Sequence, residues 1–195
     1  MKYFNKLAMK KIETERLLLR RWSLDDCDDL FEYASSSVVG PSAGWAPHKT
    51  KNDSRNLIRT YMSNKDCFAI ELCGKAVGCV GLYKTSLSDG MRSQKARELG
   101  FSLNPNYWGN GYATEAARAI IDYGFCHLFL DTIWCGHFDF NLGSKGVCSK
   151  CGFVYSFERK QRYSFLDDRE VTEEFYFLTR EKYLADKKNI LSTKK

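Results

Sequence analysis

The segment NPNYWGNGYATEAA, residues 104–117, places two glycines directly before a run of helix-forming residues. The first amides of a helix have no intrahelical partner and carry the positive end of the helix dipole. Glycine at positions 109 and 111 removes the Cβ atoms that would keep a large anion from those amides, and Asn110 and Thr114 can add further donors. The pattern predicts a site for a phosphorylated ligand, with a purely loop-shaping role for the glycines as the alternative.

Two common phosphate-binding motifs do not fit this segment. A nicotinamide-binding fingerprint needs a third glycine in GxGxxG, where this chain has Thr114, and a Walker P-loop needs Gly-Lys-Ser/Thr, which the sequence lacks. The ligand is therefore predicted to be neither a dinucleotide nor a triphosphate bound in those ways.

A CxxC pair, Cys148 and Cys151, raises the question of metal or redox chemistry. A structural zinc site needs a second ligand pair, and the chain has neither another CxxC nor closely spaced histidines. A redox CxxC opens a helix after a strand, whereas this pair is predicted at a helix end before Gly152. We expect no metal site and interpret both cysteines as small, partly buried residues.

The elements that must position these residues form a mixed α/β order around one sheet. Hydrophobic periodicity and turn signals predict strands over 12–21, 67–73, 76–84, 97–103, 132–138, 153–163 and 174–180. Helices are predicted from Ser23 with its acidic first turn and over 51–64, 111–125 and 142–150, with a short helix or frayed tail over 182–195. The segment SSSVVGPSAGWAPHKT is predicted to be a loop.

Length and charge limit the function classes. A chain of 195 residues without an internal linker suits one domain. Its net charge of +6 comes from the termini, since residues 1–21 carry +5, residues 182–195 carry +4 and the remainder −3. A nucleic-acid binder usually carries its positive charge as a patch on the folded body, so nucleic acid is not an expected partner.

Apolar stretches are too short for a membrane-spanning helix. The first residues lack the apolar core of a secretory signal, so we expect a cytoplasmic protein whose eight cysteines are reduced.

Taken together, several segments resemble a known enzyme family. NYWGNGYATEA resembles the acetyl-CoA signature Q/R-x-x-G-x-G/A of the GNAT acetyltransferases, with Asn106 in place of the usual Gln or Arg. ETERLLLRRWSLDD, RELGFSLNPNYWG, NLGSKGVCSKCGF and EEFYFLTREKY are similar to segments of the branch that contains the RimJ- and RimL-like ribosomal-protein N-acetyltransferases. The match spans about residues 12–184.

The resemblance implies a GNAT fold: a single, mostly antiparallel sheet of about seven strands, splayed in the middle and flanked by about four helices. It implies one acetyltransferase domain over 1–195, with a core of about 12–184 and a basic tail over 185–195. It also implies acetyl-CoA as the cofactor, no metal, and transfer of the acetyl group to a primary amine by direct attack. The acceptor stays open between a protein N-terminus and a small amine, and the protein is expected to be a monomer or homodimer.

The resemblance also assigns roles to residues. Alternation along strand 97–103 places Glu98 on the face opposite Leu99, and Glu98 is implied to be the base, directly or through water. A structural carboxylate paired with Arg97 or a lysine is the alternative, and His137 is a second candidate base. Ser144 is implied to protonate the sulfur, because Val147 and Cys148 occupy the helix turn where many relatives have a tyrosine.

Cofactor and acceptor residues follow in the same way. Those implied to bind acetyl-CoA are Leu99, Phe101, Leu103, Trp108, Gly109, Asn110, Gly111, Tyr112, Ala113, Thr114, Asn141 and Ser144. Asn141 is expected to hold the pantetheine amide or an ordered water, or only to cap its helix. Trp45 and His48 are expected to contact the acceptor, or to anchor their loop. A second hypothesis is a CoA-binding regulatory module without turnover, against which the presence of Glu98, Asn141 and Ser144 argues.

Overall fold

The computed structural model describes residues 11–87 and 95–192. Eight strands form one sheet: β1 (Lys11–Glu13), β2 (Leu18–Arg20), β3 (Cys67–Leu72), β4 (Lys75–Tyr83), β5 (Ala96–Leu103), β6 (Thr132–Phe138), β7 (Val154–Tyr163) and β8 (Arg169–Thr179). Their order across the sheet is β1-β2-β3-β4-β5-β6-β8-β7, and every neighbouring pair except β5–β6 is antiparallel. The predicted single, mostly antiparallel sheet is confirmed.

Six α-helices flank the sheet in the described part of the chain: α1 (Cys27–Ala34), α2 (Val39–Ala43), α3 (Lys51–Asn64), α4 (Tyr112–Cys126), α5 (Leu142–Lys150) and α6 (Arg180–Ser192). Helices α3 and α5 have the predicted bounds. Helix α2 lies inside the segment predicted to be a loop, where it ends at Gly44 in the left-handed conformation with φ of +90°. Helix α6 shows that residues 182–192 are helical, and it crosses the expected boundary between core and tail.

The first predicted strand divides into two, which explains the eighth strand. The amide of Thr14 donates to the carbonyl of Leu17 at 2.9 Å, and the Leu17 amide donates to Thr14 Oγ1 at 2.9 Å. These bonds close a tight turn that folds β1 back onto β2.

Strand β8 begins at Arg169, five residues before the predicted start. Pairing with β7 continues to Tyr163 opposite Arg169, so residues 169–173, which lay between the two predicted strands, belong to the hairpin. The first ten residues, the connection over 88–94 and the last three residues lie outside the described part.

The sheet opens between β5 and β6. These strands pair in parallel only from Ala96 opposite Thr132 to Leu99 opposite Cys135. Beyond that point residues 100–103 remain paired with β4, and residues 136–138 with β8. The predicted splay is therefore confirmed, and it leaves one backbone edge of each strand facing a gap.

Two apolar clusters hold the helices against the sheet. The larger joins α4 to the sheet through residues including Leu99, Leu103, Ala116, Ala117, Ile120 and Ile133. The smaller packs α1 and α3 on other residues of the sheet and includes Trp22, Leu30 and Ile58. Full burial of a side chain such as Ile120 stabilises the fold by roughly 1.5–3 kcal/mol. The described helices include none that is both long and apolar enough to cross a membrane.

Candidate active site

A cleft of about 550 Å³ lies at the splay, between the open edge of β5 and the starts of α4 and α5. Ten of the twelve predicted cofactor residues line it: Phe101, Leu103, Trp108, Gly109, Gly111, Tyr112, Ala113, Thr114, Asn141 and Ser144. The other two do not. Leu99 is buried in the larger core cluster and lines a neighbouring cavity, and Asn110 lines neither of the two cavities.

Both glycines of the loop before α4 adopt left-handed backbone conformations, with φ of +78° at Gly109 and +80° at Gly111. Gly111 is the N-cap of α4 and provides no side-chain cap, while the first α-helical bond runs from Glu115 N to Gly111 O at 3.0 Å. The amides of 112–114 therefore begin the helix without an intrahelical partner. A Cβ added at Gly109 would have no atom within 4 Å, so the space before these amides is open.

Side chains of the loop fix its shape. Trp108 Nε1 donates to the carbonyl of Leu103 at 2.8 Å, which ties the loop to the end of β5. Asn110 Nδ2 donates to the carbonyls of Trp108 at 3.0 Å and Tyr107 at 3.3 Å. The donors of Asn110 therefore face its own loop, away from the cleft.

A brace formed by Thr14 and Arg16 of the β1–β2 turn holds the same loop, and the sequence analysis did not predict it. Arg16 donates through Nη1 to the carbonyl of Asn110 at 3.0 Å and through Nε to Glu115 Oε2 at 2.7 Å. Thr14 Oγ1 donates to Glu115 Oε1 at 2.6 Å, and the Arg16 guanidinium lies 4.6 Å from the Tyr112 ring centroid. Although partial burial acts in the opposite direction, these hydrogen bonds lower the pKa of Glu115.

A second cavity of about 300 Å³ adjoins the cleft. The two share four lining residues: Ser42, Ala43, Phe101 and Ser144. The smaller cavity continues to Glu98, Gly136, His137 and Glu173. A molecule in the cleft and another in the smaller cavity would therefore meet beside Ser144.

Glu98 is half-buried in the smaller cavity, opposite Tyr83 of β4 and Trp134 of β6. Burial raises the pKa of its carboxyl group, and the nearby charge of Glu173 adds to that effect. Thr85 Oγ1 donates to Glu98 Oε2 at 3.2 Å and opposes part of the rise.

The alternative partner for Glu98, Arg97, donates instead to the Ala96 carbonyl at 2.9 Å. In the folded protein the proton is thus held more readily by Glu98 than by an exposed glutamate.

Ser144 and Asn141 lie at the start of α5. Asn141 is the N-cap: its Oδ1 accepts from Ser144 N at 3.0 Å, while its Nδ2 donates to the Ser42 carbonyl at 2.8 Å. An amide oxygen can accept a second bond and an amide nitrogen can donate one. Asn141 therefore joins α5 to the end of α2, and each polar atom retains the capacity for one more bond.

His137 lies in the wall of the smaller cavity and is buried. Its Nδ1 is 3.0 Å from the carbonyl of Phe138, which can only accept, so the proton is assigned to Nδ1 and the lone pair of the neutral ring to Nε2. Nε2 has no hydrogen-bond partner among the described residues and lies 3.8 Å from Glu174 Oε2.

Trp45 and His48 line neither cavity. The amide of Trp45 donates to the Gly40 carbonyl at 3.0 Å, and His48 Nδ1 lies 2.8 Å from the hydroxyl of Ser54. Burial lowers the pKa of His48. The segment that contains them does reach both cavities, through Ser42 and Ala43 at the end of α2.

The CxxC pair lies at the end of α5, as predicted. Cys148 is buried with its Sγ 2.9 Å from Cys135 Sγ, and Cys151 is half-buried. Burial raises the pKa of Cys151 to about 11, which disfavours the thiolate that redox chemistry needs. Across the described residues, no three side chains of the metal-binding types cluster.

The chain matches an enzyme family over most of its length. Residues 16–154 match the family described as Acetyltransferase (GNAT) domain, so the chain belongs to the GNAT acetyltransferases. The resemblance seen in the glycine loop is thereby confirmed. The cleft and its glycine loop lie within the matched range.

Individual relatives agree with this family. The uncharacterized N-acetyltransferase YnaD of Bacillus subtilis is 30% identical over 72% of this chain and 81% of its own length. A GNAT-family acetyltransferase structure from Bacillus anthracis is 29% identical with a TM-score of 0.76, covering 88% of this chain and 99% of that one. The ribosomal-protein-S5-alanine acetyltransferase of Vibrio fischeri shares the fold at 20% identity with a TM-score of 0.67, over 87% and 96% of the two chains.

Proposed function

We propose that this acetyltransferase moves the acetyl group of acetyl-CoA to the primary amine of an acceptor, either a small amine or a protein N-terminus. One observation carries the proposal. The cleft that begins at the uncapped start of α4 meets the cavity that contains Glu98, and Ser144 lines both.

The residues of the cleft support binding of the diphosphate and of the pantetheine arm of the coenzyme. The amides of 112–114 would hold the diphosphate, because they lack intrahelical partners and the space beside Gly109 is open. The unpaired edge of β5 over residues 100–102 would hold the pantetheine arm through backbone bonds, since the Leu103 carbonyl already accepts from Trp108. Bound there, acetyl-CoA supplies an acetyl group activated as a thioester.

Glu98 would remove the proton from the attacking nitrogen. A primary alkyl amine with a pKa near 10.4 is almost fully protonated at pH 7, and an N-terminal amine with a pKa near 7.7–8.0 much less so. A carboxylate with a raised pKa is a better match for this proton transfer than an exposed one. Glu98 accepts the proton directly or through one water as the nitrogen–carbon bond forms.

Ser144 would serve the other side of the reaction. As the carbon–sulfur bond breaks, a proton is needed on sulfur. Ser144 lines both cavities where they join, and its hydroxyl would give its proton to sulfur while taking one from water. Asn141 positions Ser144 by accepting from its amide. His137, whose Nε2 is unpartnered in the described structure, is the second candidate for the base.

The test is an acceptor screen with two readouts. The protein is incubated with acetyl-CoA and a panel of small amines and short peptides, release of the free thiol is followed, and thermal unfolding is measured with and without CoA. We expect thiol release with at least one acceptor and stabilisation by CoA. Stabilisation by CoA without thiol release from any acceptor would favour the binding module. The absence of both thiol release and stabilisation would overturn the proposal.

A further inference from the structure

The smaller cavity, where the acceptor would bind, has an unusual charge balance. Two carboxylates line it, Glu98 and Glu173, and none of its described lining residues is a lysine or arginine. Its other walls combine the aromatic residues Tyr83, Phe101 and Phe138 with polar side chains that include Ser42, Ser144 and His137. The two carboxylates interact, since the charge of Glu173 contributes, after burial, to the raised pKa of Glu98.

One cation does reach Glu173 from outside the cavity. Arg159 Nη2 lies 2.6 Å from Glu173 Oε2, and the Tyr163 hydroxyl donates to the same oxygen at 3.1 Å. Arg159 is on β7, its side chain is half exposed, and it does not line the cavity. Both bonds use Oε2, and the Glu173 side chain is mostly buried whereas that of Arg159 is half exposed. Oε1 of Glu173 therefore retains the capacity to accept from a second cation on the cavity side.

The proton transfer requires only one of the two carboxylates. With Glu98 as the base, Glu173 faces the acceptor with no role in the chemistry. A neutral group beside it would displace water from Glu173, and the bonds from Arg159 and Tyr163 would compensate only part of that loss. An anionic group there, such as the carboxylate of an amino acid, would be repelled by both residues.

We propose that the acceptor is a small amine with a second cationic group, held so that its reacting nitrogen lies at Glu98 and the second cation at Glu173. The inference rests on the proposed function, and it narrows the acceptor class to diamine-like compounds. The cavity size agrees, because about 300 Å³ is at the lower end of the range for small-molecule sites.

Three acceptors of equal chain length test the charge requirement. 1,4-Diaminobutane, 4-amino-1-butanol and 4-aminobutanoate carry the same primary amine and differ in a cationic, neutral or anionic distal group. We expect kcat/KM, measured by thiol release from acetyl-CoA, to be at least tenfold higher for the diamine than for the amino alcohol. We expect the lowest value for 4-aminobutanoate.

Substitutions assign the preference to Glu173. Glu173→Gln should reduce the diamine-to-alcohol ratio of kcat/KM toward one, mainly through the KM of the diamine. Glu170→Gln changes an exposed glutamate that lies beside the turn of the same hairpin and lines neither cavity, and it should leave the diamine-to-alcohol ratio unchanged. Arg159→Gln removes the ion pair and keeps Glu173, so the diamine-to-alcohol ratio of kcat/KM should stay the same or increase. A loss of this ratio as large as in Glu173→Gln would show that the ion pair, and not binding of a second cation by Glu173, causes the preference, and would contradict the inference.

The outcomes for the inference and for the proposed function are distinguishable. Equal kcat/KM for the diamine and the amino alcohol, or turnover restricted to peptide N-termini, would overturn the inference and leave the transferase function standing. Absence of thiol release with every amine and peptide would remove both. A diamine preference that survives Glu173→Gln would also overturn the assignment.

Discussion

At the scale of single residues, Glu98 shows how position prepares a carboxyl group for proton transfer. Its half-buried location disfavours the charged form, and the charge of Glu173 adds to this, so its pKa is raised. The hydrogen bond from Thr85 acts against the rise without cancelling it. The same burial that would make Glu98 a better base also costs stability when Glu98 is ionised.

Glu98→Gln tests the base. Removing a general base typically slows turnover by about 10²–10⁴-fold, and CoA affinity should stay near normal because Glu98 lines the other cavity. In the wild type, kcat/KM should fall as pH decreases through the raised pKa of Glu98, and the variant should lack that fall. Thiol-release rates across pH, with CoA titrations, measure both effects.

The same variant separates a catalytic from a structural role for Glu98. Because folding raises the pKa of Glu98, its protonated form favours the folded state at low pH. This contribution to the free energy of unfolding is lost as pH rises through the raised pKa. Glu98→Gln should therefore be at least as stable as the wild type to urea at pH 7. An unchanged pH–rate profile, or a loss of stability that explains the slower turnover, would remove Glu98 from the mechanism.

At the scale of elements, the loop and the first turn of α4 together form the proposed anion site. Gly109 and Gly111 give the loop its left-handed backbone, and Gly111 starts the helix without a side-chain cap. The site therefore depends on main-chain geometry, which a substitution can disturb either by backbone strain or by filling the space.

Gly109→Ala, compared with Gly74→Ala, separates strain from filled space. Both glycines have similar φ, +78° and +82°, and at both an added Cβ meets nothing within 4 Å, but Gly74 lies in the β3–β4 hairpin outside both cavities. A residue in a left-handed conformation costs about 1–3 kcal/mol, so both variants should lose similar free energy of unfolding. Only Gly109→Ala should raise the KM for acetyl-CoA, by about tenfold, equivalent to roughly 1.4 kcal/mol.

Urea unfolding and acetyl-CoA titrations of the two variants provide the measurements. An equal change of KM in both would show that the loss of stability alone is responsible. An unchanged KM in Gly109→Ala would contradict the role of this loop in holding the diphosphate.

At the scale of the whole molecule, the glycine loop proposed to bind the coenzyme is held by the turn between the two strands at the edge of the sheet. Arg16 and Thr14 in the β1–β2 turn reach Glu115 in the first turn of α4, about a hundred residues later in the chain. Arg16 also bonds the carbonyl of Asn110 within the glycine loop. The amino-terminal hairpin therefore acts as a brace for the loop.

Arg16→Met tests the brace by keeping much of the side-chain length and removing the hydrogen bonds of the guanidinium, while the backbone amide of residue 16 still donates to Glu115. The guanidinium is partly exposed, so stability should fall by only about 0–1 kcal/mol. The KM for acetyl-CoA should rise several-fold while the KM for the acceptor stays the same, as steady-state kinetics with each substrate varied would measure. Arg59→Met, which removes an exposed arginine of α3 bonded only to Asn56 among the described contacts, is the control. Equal kinetics for the two variants would contradict the brace.

Local patterns in the sequence predicted much of this molecule. The spacing of apolar residues predicted β6 and α5 with the bounds observed, and the glycines at 109 and 111 indicated the start of α4. Alternation along β5 placed Glu98 on the face opposite Leu99 and Leu103. In the structure these two leucines, which were predicted to bind the cofactor, belong to the larger core cluster, and Glu98 lines the smaller cavity. These predictions succeed because backbone propensity and side-chain period depend on neighbours within a few residues.

Tertiary structure decided which distant side chains share a site. Glu173 enters the cavity of Glu98 only through the register of β8 beside β6, and Arg16 meets Glu115 only because the amino-terminal turn packs against α4. Ser42 lines the cavities, whereas Trp45 and His48 from the same segment do not. The sequence by itself determined the family, the sheet and the glycine loop before α4. The charge of the smaller cavity and the brace on the loop were decided by packing, because they depend on contacts between residues far apart in the chain.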